Sequence, residues 1–159
     1  MRVALRFLRD FFGEIHAFLG FFVAFLAGCS TSPAMNNRVQ QFNAAQEAQY
    51  SPTRAELKEL PGGVSNLEFG VWAGVPGESA ANAAYRKRIF DSFRTQCGFD
   101  ESQLKEVRIV KHDPPIWYEV WVFNNPESQR PDNTSGLSVV MRFNPMTNIT
   151  NTSFRGDCD

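Results

Sequence analysis

The stretch Ile116-Trp117-Tyr118-Glu119-Val120-Trp121-Val122-Phe123 constrains this chain more than any other. Every residue but Glu119 is β-branched or aromatic, the composition of a strand. Ile116, Tyr118, Val120 and Val122 fall on one side; Trp117, Trp121 and Phe123 fall on the other, with Glu119 among them. A half-buried strand has one apolar face, and this one has two. The sheet that holds it must be covered on both sides, or one side must offer an aromatic patch to a partner.

The rest of the chain supplies candidate covers. From Val64 to Val75 the residues alternate, with Leu67, Phe69, Val71, Ala73 and Val75 on one face and Trp72 on the other. Ala80 to Cys97 carries Ala81, Tyr85, Ile89, Phe93 and Cys97 at spacing four, which predicts the longest helix, with Ser79 as its N-cap and Gly98 as the left-handed residue that ends it. Val107–Lys111, Leu137–Phe143 and Ile149–Phe154 read as further strands. Asn124 to Gly136, rich in Asn, Pro, Ser and Asp, reads as a long flexible loop suited to recognition. Ser51 or Thr53 is a candidate N-cap for a short helix that Pro61-Gly62-Gly63 stops. Before it, Ser30 to Asn37 reads as a flexible spacer, and Val39, Phe42 and Ala45 recur at weakly helical spacing. The expected fold is α+β: one long helix packed on an antiparallel sheet of four or five strands.

Upstream lies a short arginine-bearing start, an apolar run from Ala17 to Ala27, and then Leu26-Ala27-Gly28-Cys29. The apolar run has 11 residues, well short of the roughly 20 a membrane span needs, and the three parts match a secretory leader. The four residues at its end resemble the lipobox of bacterial lipoprotein precursors. That resemblance implies cleavage after Gly28, acylation of Cys29, and anchoring by the acyl chains. Ser30, standing where an Asp would retain the protein in the inner membrane, implies delivery to the outer membrane with the domain facing the periplasm. The organisation expected is a signal peptide over 1–28, a lipidated tether over 29–50, and one α+β domain over 51–159. Such a helix-on-sheet domain is broadly similar to small periplasmic lipoproteins that assist outer-membrane assembly; no motif carries over.

Removing the leader leaves 13 basic and 15 acidic residues, which argues against a nucleic-acid partner. With Cys29 acylated, Cys97 and Cys158 remain, an even pair in an exported chain that predicts a disulfide. Two thiols and one remaining histidine are a poor zinc set, no acidic calcium loop is visible, and no cofactor is expected.

Catalysis would start from His112, oriented by Asp113 or Glu119, or from Glu119 with a second carboxylate. Against this, His112-Asp113-Pro114-Pro115 also reads as a turn, no Gly-x-Ser-x-Gly elbow is present, and Glu119 suits a cross-sheet pair with a cation such as Arg142. Recognition has more material. Trp72, Trp117, Trp121 and Phe123 are candidate binding residues, with core packing as the competing role. The expected function is a lipid-anchored, non-enzymatic module that binds an envelope protein: an assembly accessory, a secretion component, or an inhibitor or immunity protein. The alternatives are a peptidoglycan or glycan binder and a small hydrolase using His112 or Glu119.

Overall fold

The structure, a computed structural model, describes residues 33–158. The leader, the lipobox and the acylation of Cys29 lie outside the described residues. Among the described residues, two α-helices and two antiparallel sheets make an α+β fold. Helix α1 (Pro33–Ala48) leads into a hairpin of β1 (Thr53–Leu60) and β2 (Val64–Trp72), which is a sheet of its own. The larger sheet has the order β3 (Val75–Pro76), β4 (Leu104–Asp113), β5 (Ile116–Asn124), β6 (Thr134–Asn144) and β7 (Ile149–Arg155). Helix α2 (Ala83–Cys97) joins β3 to β4.

The two-faced strand is the central one, β5, and both faces are covered. On one side Ile89, Phe90 and Phe93 of α2, with Phe99, pack on Trp121, Phe123, Leu137, Val139 and Met141. The ridge expected at spacing four is present: Ala81, Tyr85 and Cys97 flank this cluster. On the other side Tyr118, Val120, Val122 and Val140 lie with Ala73 beneath Tyr50 and Trp72. Gly98 ends α2 in the left-handed region (φ 73°), its N–H bonded to the Arg94 carbonyl. Just before it, Cys97 is disulfide-bonded to Cys158 with Cα atoms 5.3 Å apart, which ties the helix end to the segment after β7. The bridge closes a loop of 61 residues, worth about 4 kcal/mol by chain entropy.

Several expectations are corrected. Among the described residues the helix over Ala83–Cys97 is not the longest: α1 has 16 residues and α2 has 15. Residues 33–37, expected as spacer, are the first part of α1. Residues 53–60, expected as a short helix, form β1: capping and propensity favour a helix weakly, but the Pro61-Gly62-Gly63 reversal lets Leu57 pair with Leu67 and Lys58 bond Glu68 across the hairpin. Helix α2 begins at Ala83 with Asn82, not Ser79, as cap; the Asn82 side chain accepts the Tyr85 N–H at 2.9 Å. Phe69 and Val75, expected on a buried face, are exposed: Phe69 on the small sheet meets only the edge of the Phe42 ring among the described aromatic rings, and Val75 lies in the two-residue edge strand β3 of the larger sheet.

Candidate functional site

Trp121 and Phe123 are fully buried. They meet α2 edge-on, Trp121 with its ring centroid 5.2 Å from Phe90 and Phe123 5.4 Å from Phe93. They occupy the core rather than a surface because α2 lies over that face of β5. Trp117 is half-buried at the margin of the same cluster. It lines a small cleft with Ala81 and Tyr85, of about 140 Å³, whereas Trp72 lines a wider one.

Glu119 is also fully buried, on the α2 side of β5. Its Oε1 accepts from the Ala80 N–H at 2.7 Å and faces His112 Nε2 at 2.9 Å. Its Oε2 accepts from the Ser79 hydroxyl at 2.7 Å and Trp121 Nε1–H at 2.8 Å. A carboxylate has room for about four such bonds, so these neighbours saturate it and offset the cost of burying the charge. Ser79 stands ahead of the helix: its hydroxyl donates to Glu119 and its oxygen accepts the Ala81 N–H at 3.1 Å, while Asn82 caps α2. The expected pair with Arg142 is absent, because Arg142 lies on the opposite face of the sheet with its guanidinium 5.1 Å from the Tyr50 ring. His112 and Asp113 close strand β4 rather than forming the turn. The order of the groups matters chemically. A serine is activated by a histidine between it and the acid, whereas here the acid stands between serine and histidine.

The cleft at Trp72 lies where the hairpin joins the larger sheet. Gln46, Ser51, Pro52, Trp72, Arg130 and Arg155 are among its lining residues, and it has a volume of about 610 Å³. Trp72 Nε1–H donates to the Thr134 hydroxyl at 3.1 Å. Thr134 in turn hydrogen-bonds Asp132, which accepts from Arg130 Nε at 3.2 Å. The circuit closes when the Arg130 guanidinium lies over the Trp72 ring, 4.0 Å from its centroid. Partial desolvation pushes the Asp132 carboxyl up, but its bond from Thr134 and the Arg130 charge outweigh it, holding it below the usual carboxylate range.

Gly136 makes the site possible. A Cβ there would lie 2.4–2.8 Å from the Trp72 ring, so only glycine lets the indole lie on β6. Arg155, at the end of β7, is exposed and has no side-chain partner among the described residues. Of Asn124 to Gly136, expected as a flexible loop, Asn124 ends β5 and Thr134–Gly136 begin β6, and the segment between is pinned by Asn125 N–H to the Asn133 carbonyl (2.8 Å), Ser128 Oγ to the Thr134 carbonyl (2.7 Å) and Asn125 Nδ2 to the Cys158 carbonyl (3.1 Å).

The sequence pointed to Trp72 and to this loop but missed Arg130, Thr134 and Arg155. In the sequence Gly136 reads as the end of the loop; its place inside β6, where a lone glycine marks a close approach, is seen only in the structure. Among the described residues no group of three or more His, Cys, Asp or Glu side chains is placed to hold a metal ion. No family model, curated protein or solved structure matches this chain.

Proposed function

We propose that this is a lipid-anchored envelope protein, held at the outer membrane through Cys29, that binds a protein segment bearing a carboxylate in the Trp72 cleft. The observation that carries the binding reading is the pair of arginines there. Arg130 is fixed over Trp72 by Asp132, and Arg155 is left without a side-chain partner among the described residues. A guanidinium presents several donors in one plane and suits carboxylates. An aromatic-plus-arginine anchor is the usual composition of an interface centre.

The glycan reading has less support. One face of the Trp72 ring, where a sugar would stack, is taken by Arg130, and its benzo portion packs on Gly136. The hydrolase reading needs a base with a free lone pair, and the contacts of Glu119 use about four.

The test is photocrosslinking in intact envelopes from a reactive side chain at Gln49, which lines the cleft. A single protein adduct is expected, lost when Arg155→Glu or Trp72→Ala is added. An adduct indifferent to both changes sinks the cleft. Sedimentation with purified sacculi, abolished by Arg155→Glu, would move the ligand to peptidoglycan instead.

A further inference from the structure

In the arm made of α1, β1 and β2, the exposed Phe42 and Phe69 meet each other part-way along, and three further exposed apolar side chains, all aliphatic, lie at one end. Leu60 (45% exposed) and Val64 (54%) face each other across the hairpin tip, and Met35 (40%) lies near the start of α1. The contacts between α1 and β1 place these residues together. Glu47 reaches Arg54, and Asn43 exchanges two bonds of 2.8 Å with the Ala55 backbone, so the helix runs antiparallel to β1. From Asn43 back to Pro33 the helix covers about 15 Å. From Ala55 on to Leu60 the strand covers about 17 Å. The start of α1 and the hairpin tip therefore lie at the same end of the arm. Cys29 precedes Pro33 by four residues in the sequence, a reach of at most about 14 Å.

We infer that the tip of this arm, Met35, Leu60 and Val64, docks in the lipid surface that holds the acylated Cys29. The inference rests on the lipidation proposed above. The occupant is lipid because the tip is the end nearest the anchor and consists of isolated aliphatic side chains without a basic cluster. Lys58, the cation nearest the tip on β1, is already bonded to Glu68 at 2.8 Å, and Glu59 is exposed beside it. Apolar insertion to the headgroup boundary, about 5–10 Å deep, needs no anionic lipid. The acyl chains supply the affinity and the tip fixes the orientation. From Val64 to Trp72 the strand β2 then rises about 26 Å, so the arm holds the arginine cleft at that height above the bilayer.

The experiment uses the full acylated protein in phosphatidylethanolamine–phosphatidylglycerol vesicles whose acyl chains carry bromine, a contact quencher of indole emission. Tryptophan is introduced singly at Val64, at Leu60, and at Met146, which is 94% exposed in the β6–β7 turn. The added emission of Val64→Trp and Leu60→Trp should be largely lost on bromination, and that of Met146→Trp retained. The losses should not change when phosphatidylglycerol is left out. If acylated, vesicle-bound Val64→Trp and Leu60→Trp are quenched no more than Met146→Trp, the docking is overturned while the address stands. If mass spectrometry shows Cys29 without acyl chains, the address fails and the docking with it.

Discussion

Phe93 and Phe42 are both helical phenylalanines that meet a phenylalanine on a strand, and their surroundings differ sharply. Phe93 is 0% exposed and touches Phe90, Trp121, Phe123 and Phe154. Phe42 meets Phe69 edge-on and stays 39% exposed. The same contrast runs through the whole molecule. The body, β3 to β7 with α2, has two apolar layers and a disulfide. The arm has one fully buried side chain, Ala55, among the described residues of α1, β1 and β2. Its rigidity comes from Asn43, which locks the helix onto β1, and from the seam at Tyr50, Pro52 and Trp72. Burial sets stability in one region, and a few polar bonds set shape in the other.

The largest test of that contrast is Phe93→Ala, expected to cost about 3–5 kcal/mol in urea unfolding, against about 1 kcal/mol or less for Phe42→Ala. Equal costs would erase the distinction. Next comes Glu119→Ala, which strands the Trp121 and Ser79 donors inside the body and should cost about 3 kcal/mol. Hydrogen exchange of the arm amides should not follow it. Gly136→Ala acts on the seam. The added methyl displaces Trp72, for about 1–3 kcal/mol, and exchange should rise in β1 and β2 while β5 stays protected. A uniform rise would mean that arm and body open as one unit.

The smallest effect is acid release of the Trp72 circuit. The Asp132 carboxyl is held below its unfolded value, about 3.9, so its contribution is full above that pH and is lost as pH falls through the lower folded value. Because the side chain is 44% exposed, the loss is well under about 1 kcal/mol. It should register as a change in Trp72 fluorescence without unfolding of the body.

Strand β5 and helix α2 were legible because their periodic patterns are long and their covers are apolar. The arm was not. Arg54, Glu56, Lys58 and Glu59 favour a helix over a strand, and what overrides them is a partner, β2, outside the window of any local pattern. The cleft was legible only in Trp72 and the neighbouring loop, since Arg130 comes from the segment between β5 and β6 and Arg155 from the end of β7, which pairs with β6. The occupation of Glu119 was hidden for the same reason. Its donors come from the approach to α2, from the end of β4 and from β5 itself.

The saturation of Glu119 has one further consequence. A strand apolar on both faces carries no alternation to tell its neighbours which way to align it, and such strands are prone to slip. Sliding β5 by one residue would exchange one set of apolar side chains for another at little cost. It would also turn Glu119 to the side of Tyr50 and Trp72, away from the backbone N–H of Ala80 and the hydroxyl of Ser79. The buried carboxylate is thus the key that lets β5 enter the sheet in one alignment only, and its four donors are the wards of the lock.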